Sequence, residues 1–454
     1  AGLGAHCPSS GRGVHRKAVV MTVQTAQILL VVTPLLGAAV SCVAWWAPQR
    51  LKVWSLLVTV VSLLMLIGMA GRLPVPIEGM VFLYLLPVVA GVSLLGQPVH
   101  QDNRPAWLMT LVLLGLGLGV LISQDSVGLI LLAIVLALVG VLIYRYRAMS
   151  GSLPWWGIST YSLGLVCVIV ALMTAPPISS IARLLVCMML LPLVPLHGGY
   201  VAGFVGLPGN LPAFLALLLP SLGFHGLLSL VPSLPEPVRA ALVMLALTGM
   251  VYGSLKALTQ SRVRLLLAYG SLAFWSILWW YVAATRTSAP QAVVYLIALG
   301  LSTGGLLLAW HAIQARYGDM EPRAIRGLVY HMPRFAVLIS LLALAAMGLP
   351  PFGLFSGFMG MLLALSLTFS GALPIVIVTW LMASWYILDM VQGLLFGRQR
   401  PVLRYADLHR TEFASLVILV VILIVLGFAP SCYFESGTPT PQTFAAVEFL
   451  SWNK

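Results

Sequence analysis

The chain has 454 residues, of which 61% are hydrophobic and only 8% are charged. A soluble domain carries roughly 25% charged residues, so a water-soluble protein of this length is excluded. The charge balance is basic, with 24 Lys and Arg against 11 Asp and Glu. The basic residues lie between apolar runs, where membrane topology explains them better than nucleic-acid binding does.

The apolar runs predict an all-α integral membrane protein of about fourteen transmembrane helices, because about 20 apolar residues cross a bilayer. Residues 1–20 are polar and basic and are predicted to be an N-terminal tail, residues 21–430 a transmembrane domain, and residues 431–454 a C-terminal tail. The predicted helices are 22–46, 51–70, 78–97, 106–123, 126–144, 156–175, 180–200, 211–231, 238–258, 265–285, 291–313, 334–358, 372–396 and 413–430.

The distribution of Lys and Arg predicts the orientation of these helices. Sixteen Lys and Arg residues lie in the loops or helix ends that follow odd-numbered helices, and eight lie on the other side or in the tails. Basic residues are retained on the cytoplasmic side, so both termini are expected outside the cytoplasm.

Two predicted helices contain prolines that break them. Pro192 and Pro195 interrupt helix 7, and Pro350 and Pro351 interrupt helix 12. A proline removes a backbone donor, and broken backbone inside a membrane needs protein or a water-filled cavity around it. Two broken helices five apart predict two inverted five-helix repeats, helices 4–8 and 9–13, as in many transporters. The alternative interpretation is that prolines are simply common in membrane helices.

Several segments, in the same order along the chain, resemble the antiporter-like subunits of NADH:quinone oxidoreductase (complex I). The resemblance is greatest to the chain M or mitochondrial subunit 4 branch and weaker to the Mrp antiporters. The segments are YGSLKALTQSRVRLLLAYGSLAF at 252–274, IALGLSTGGLLLAWHAI at 297–313, RAIRGLVYHMPRF at 323–335, GLPPFGLFSGF within helix 12, and WYILDMVQGLLFG at 385–397 followed by DLHRTEF. The resemblance covers about 180–430 strongly and the earlier part weakly.

The resemblance implies a proton relay along the middle of the membrane. In the family this relay uses a Glu in helix 5, Lys in helices 7 and 8, His in helix 11 and Glu or Lys in helix 12. In this sequence the corresponding positions hold Ile134, Leu190, Ser221, Leu299 and Phe358. Ionisable groups persist in membranes for function, so their replacement predicts a degraded relay.

Four other side chains are candidates for a substitute relay: His197, His225, Asp389 and Lys256. For His197 a structural role at the helix break is an equal alternative. Asp389 is the acidic residue well inside a predicted helix, and Lys256 lies near a helix end, where snorkelling explains it. His311 is expected to face the membrane interface.

No nucleotide-binding loop, nucleophile constellation or metal-ligand spacing of the five cysteines occurs. The chain is therefore expected to hold no cofactor and to perform no catalysis alone, with flavin, iron–sulfur clusters and quinone in partner subunits. The expected function is a membrane-arm subunit of a complex I-like assembly in an energy-transducing membrane, bound to other membrane subunits and not to nucleic acid. The alternatives are an active proton or cation translocator using substitute residues, or the membrane partner of a hydrogenase or an inorganic-carbon uptake complex.

Overall fold

A computed structural model describes residues 11–43, 47–69, 73, 75, 77–99, 103–123, 125–147, 153–285, 290–318, 325–364, 371–397 and 406–428. The described residues form α-helices, turns and short 3₁₀ segments, with no strand among them. The helices are α1 (Gly11–Val43), α2 (Pro48–Gly68), α3 (Ile77–Leu95), α4 (Arg104–Ile122), α5 (Asp125–Arg145), α6 (Leu153–Met173), α7 (Ile178–Leu190), α8 (Gly198–Gly206), α9 (Leu211–Leu230), α10 (Glu236–Leu258), α11 (Val263–Thr285), α12 (Pro290–Tyr317), α13 (Pro333–Ala346), α14 (Gly353–Ala364), α15 (Leu373–Leu395) and α16 (Arg410–Phe428).

These helices correspond to fourteen membrane spans. Eleven of them are long and apolar enough to cross a bilayer singly. The remaining three spans are α3 and the two pairs α7–α8 and α13–α14, whose members are separated by short breaks. The prediction of fourteen spans is therefore confirmed. Helix α1 begins at Gly11, inside the stretch predicted as a tail, and the predicted C-terminal tail lies outside the described residues.

The first break separates α7 from α8 at residues 191–197, as the prolines of that segment predict. Protein groups hydrogen-bond part of its backbone. The amide of Leu191 donates to the carbonyl of Cys187 at 2.8 Å, and the amide of Leu193 donates to Met188 at 3.0 Å. The carbonyl of Leu191 accepts the indole N–H of Trp279 at 3.0 Å. Protein groups thus replace the lost helical hydrogen bonds, as buried broken backbone requires.

The second break separates α13 from α14 at residues 347–352. Gly348 has a φ of +71° there, which a residue with a Cβ adopts only with strain. A Cβ at this position would also meet the indole ring of Trp380, so the glycine allows Trp380 to pack against the break. The amides of Leu349 and Phe352 donate to Leu344 and Leu349 at 3.1 and 3.2 Å. Both predicted broken helices are confirmed.

The two five-span units, α4–α9 and α10–α15, repeat the same packing. In the first unit α6 contacts both halves of the broken span, α7 and α8. In the second unit α12 contacts α13 and α14 in the same way. Consecutive spans alternate in direction, so two units of five spans run in opposite senses. Because each unit has an odd number of spans, the two units have opposite orientations in the membrane, as predicted for inverted repeats.

Hydrogen bonds at the helix ends show which ends lie on the same side of the protein. Lys52, at the start of the second span, donates to the carbonyls of Leu95 and Gln97 at the end of the third. On the opposite side, Arg239 at the start of the ninth span donates to the carbonyl of Ala283 at the end of the tenth, 3.5 Å away. Helix α12 lies at the centre of the protein, with its most apolar stretch wholly buried.

Candidate functional site

The central axis is built from α7, α9, α12 and α14, whose side chains meet between the two broken spans. Leu190 and Ser221 are fully buried there, and Leu299 is 2% exposed. The hydroxyl of Ser221 donates to the carbonyl of Leu217 at 2.8 Å, within its own helix. Phe358 is also buried. These four positions therefore hold neutral side chains in a buried environment.

Ile134 lies apart from this axis. It occupies the outer face of α5, where its side chain is 45% exposed. An apolar side chain on a membrane-facing surface is ordinary. The structure therefore brings together four of the five positions that the resemblance singles out, and not the fifth.

His197 lies at the first break, immediately before α8. Its ring packs edge-on against Tyr252 of α10, with centroids 5.3 Å apart, and lies 6.2 Å from Tyr269 of α11. The Nδ1 atom is buried and makes no hydrogen bond to the described residues. His197 is thus partly buried and packs against two tyrosine rings.

The other three candidate relay residues occupy separate places. His225 is partly exposed on α9, Lys256 is exposed in the last turn of α10, and Asp389 is exposed on α15. A relay inside the membrane needs ionisable groups that share a buried path. The structure does not gather these three side chains into the central axis.

Indole and hydroxyl groups fill the interior beside the first break. Tyr200 of α8 is buried, and its hydroxyl accepts the indole N–H of Trp275 at 3.0 Å. The same hydroxyl lies 3.1 Å from the hydroxyl of Ser271. Together with the Trp279 contact to the broken backbone, these bonds satisfy polar groups that would otherwise need water.

Aromatic rings pack against one another beside the second break. Phe358 stacks on Trp380 of α15 with ring centroids 4.0 Å apart and an interplanar angle of 23°. Trp380 in turn meets Phe274 of α11 edge-on at 5.1 Å. Rings in contact leave no space for water between them. The position that the resemblance assigns to a Glu or Lys is therefore occupied by a ring stacked on an indole.

Arg264 is an important residue that the sequence reading did not single out. Its guanidinium donates to the carbonyls of Val205 and Leu207 at 3.3 and 3.1 Å, at the C-terminal end of half-helix α8. It also donates to Gln314 of α12 at 2.8 Å. A cation at a helix C-terminus stabilises the terminal carbonyls and the helix dipole. Arg264 thus fixes the broken span to α11 and α12.

A buried ion pair between Arg316 and Glu412 was also missed. The carboxylate of Glu412 is 2% exposed, and it accepts hydrogen bonds from Arg316 at 2.6 and 3.1 Å and from the amide of His409 at 2.9 Å. Nearby, Asp407 accepts the amides of Arg334 and Phe335 at the start of α13. The pair joins α12 to α16, and Asp407 caps α13.

Lys52 and His311 lie near helix ends, but their side chains are not directed into solvent as residues at such positions usually are. Lys52 is 6% exposed and binds carbonyls instead of reaching solvent. His311 was expected at the membrane interface, but both of its ring nitrogens are buried and lack hydrogen-bond partners among the described residues. No group of three or more His, Cys, Asp or Glu side chains in the described part of the chain could hold a metal ion.

A sequence model described as "NADH:quinone oxidoreductase/Mrp antiporter, TM" matches residues 178–386. The matched region contains both broken spans, His197 and Trp380, so the central axis described above lies within it.

Curated relatives agree with this assignment. The chain is 25% identical over 256 residues to NADH-quinone oxidoreductase subunit M of Rickettsia conorii, covering 53% of this chain and 50% of that protein. It is 26% identical over 258 residues to the same subunit of Escherichia coli K12, covering 54% and 50%. The chain spans about half the length of the curated relatives it matches.

Solved structures share the fold over nearly the whole chain. A chain of respiratory complex I from Thermus thermophilus superimposes with a TM-score of 0.77 at 20% identity, covering 90% of this chain and 97% of that one. The membrane-bound sulfane sulfur reductase, an archaeal respiratory membrane complex, gives 0.76 at 15% identity, covering 90% and 95%. The Mrp complex from Dietzia gives 0.70 at 15%, covering 88% and 94%.

Proposed function

We propose that this chain is a membrane-arm subunit of a complex I-like NADH:quinone oxidoreductase whose own proton path is closed. In this reading it has a structural and coupling role, and its partners are other membrane subunits in an energy-transducing membrane. The observation that supports the proposal best is the stacking of Phe358 on Trp380 at the second break. There, apolar rings occupy the place of an ionisable group.

Electrostatics disfavours a proton along the whole axis. A proton crossing the membrane needs groups that hold it and water that reaches them. Leu190, Leu299 and Phe358 cannot hold a proton, and moving an isolated charge into such surroundings costs several kcal/mol or more. His197 remains, packed against Tyr252 and Tyr269. One histidine does not form a chain of proton sites.

The test is proton pumping by the purified complex in proteoliposomes. We expect the variants His197→Ala and His225→Leu to assemble and to pump protons at the unchanged proton-to-electron ratio. Asp389→Asn, which removes the third candidate side chain, is expected to behave in the same way. A reduced ratio in a correctly assembled His197→Ala or His225→Leu complex would contradict the closed path and favour the alternative of an active translocator.

The identity of the complex is tested separately by purification in mild detergent. Recovery of the chain with subunits that carry flavin and iron–sulfur clusters supports the proposal. The fold is shared with the sulfane sulfur reductase. Co-purification with a hydrogenase-like or sulfur-reducing enzyme, without an NADH-oxidising subunit, would assign the chain to a different machine.

A further inference from the structure

A small cavity lies among α11, α12, α13 and α15, beside the central axis. Its volume is about 20 Å³, and its wall includes Leu299 and three hydroxyl-bearing side chains, Ser271, Thr303 and Tyr386. A cavity needs roughly 10–15 Å³ to hold one water molecule. The cavity therefore has room for a single water, and polar groups on three helices line it.

The hydroxyl of Tyr386 makes this cavity unusual. Tyr386 is 3% exposed, and its hydroxyl makes no hydrogen bond to any described residue. The hydroxyl lies against Gly270, another residue of the cavity wall, where an added Cβ would come within 3.0 Å of it. Buried hydroxyls in native proteins almost always have a partner, which is water where protein supplies none.

Ser271, the next residue of the same wall, already belongs to a set of hydrogen bonds. Its hydroxyl donates to the carbonyl of Ala268 at 3.1 Å and lies 3.1 Å from the hydroxyl of Tyr200. Tyr200 accepts the indole N–H of Trp275. A hydroxyl oxygen has two acceptor sites, so Ser271 can still accept a hydrogen bond from the cavity.

We propose that this cavity binds one water molecule, which accepts a hydrogen bond from Tyr386 and donates to Ser271 and Thr303. This water links α15, at the second break, to α11 and through Tyr200 to half-helix α8, at the first. All three partners are neutral and belong to the second repeat, which the contact between Ser271 and Tyr200 connects to the first. The water therefore extends this set of hydrogen bonds without placing a charge in the membrane. The inference does not depend on the proposed function.

A second cavity provides an internal comparison. It has a volume of about 10 Å³ and is lined by Ser93 together with apolar residues and glycines. The hydroxyl of Ser93 is already engaged, since it donates to Ala90 and accepts from Asn210. With less room and one polar side chain, this second cavity is expected to be dry.

The test uses the intact complex. In a density map that shows ordered water elsewhere in the membrane domain, we expect a peak in the cavity bounded by Ser271, Thr303 and Tyr386, and none in the cavity beside Ser93. A map of that quality without the first peak overturns the proposal.

Thermal unfolding of two variants tests it independently. Tyr386→Phe removes a ligand of the water, so we expect the midpoint of unfolding to fall by roughly 1–3 °C. Tyr161→Phe is the matched control, because the hydroxyl of Tyr161 is also buried without a partner among the described residues but does not line this cavity. Its removal is expected to leave the midpoint unchanged or raise it. A Tyr386→Phe protein as stable as Tyr161→Phe contradicts the proposal.

Discussion

The buried ion pair between Arg316 and Glu412 should be one of the most sensitive points of the fold. Glu412→Ala would remove both hydrogen bonds from Arg316 and leave the guanidinium, 11% exposed, without its counter-charge. Breaking one partner of a buried pair costs about 3–5 kcal/mol, because the remaining charge stays desolvated. The double variant Arg316→Met/Glu412→Leu removes both charges and should recover most of that loss.

The chain contains a matched control for this experiment. Arg239 pairs with Glu236, but the side chain of Glu236 is 67% exposed. The guanidinium of Arg239 is also 11% exposed, so the two pairs differ in the burial of the carboxylate. Water screens the exposed carboxylate of Glu236, so its removal changes stability by about 0–1 kcal/mol. Glu236→Ala should therefore destabilise the protein far less than Glu412→Ala does.

The assay is pulse proteolysis of the purified protein across a denaturant series in detergent–lipid micelles, which reports the free energy of unfolding. The expected order of stability is wild type, then Glu236→Ala and the double variant, with Glu412→Ala last. If Glu412→Ala costs no more than Glu236→Ala, the burial argument is wrong. If the double variant is no more stable than Glu412→Ala, the loss comes from packing and not from the uncompensated charge.

Three further predictions concern the breaks and the topology. Gly348→Ala should destabilise the protein by about 2–4 kcal/mol, because the new Cβ meets Trp380 and the backbone φ is positive. The control Gly68→Ala should be neutral, since nothing lies within 4 Å of a Cβ at that position, and pulse proteolysis measures both variants. Arg264→Ala should cost about 2 kcal/mol by releasing the carbonyls at the end of α8, and a Lys at this position should restore part of it. Reporter fusions after Arg147 and after Arg404, which lies outside the described residues, should both report the cytoplasm; a non-cytoplasmic signal from either contradicts the predicted orientation.

The sequence was sufficient to predict the spans and the breaks, for a clear physical reason. A bilayer fixes the length of each apolar run, and proline has the same local effect wherever it occurs. Helix 12 was predicted as 334–358, and the structure divides this stretch after Ala346, just before the prolines. Boundaries and kinks of this kind depend on local chemistry, which one sequence contains.

The central axis was predicted in composition but not in structure. A single sequence indicates that Phe358 is apolar, but not that Trp380, on another helix, stacks on it. Ile134 also shows the limit, because an apolar residue in an apolar helix gives no signal of which face it occupies. Glu412 was missed because a charged residue at the start of a span usually faces water, and only the tertiary contact with Arg316 shows its burial.

The packing of Trp380 against the second break affects how the central axis could change in evolution. A Lys introduced at position 358 would meet the indole that now stacks on Phe358, and that indole occupies the space beside Gly348. One substitution would therefore add a charge without adding water. An ionisable side chain at position 358 would therefore also need a smaller residue at position 380, so the two positions are coupled and the effects of their substitutions are not additive.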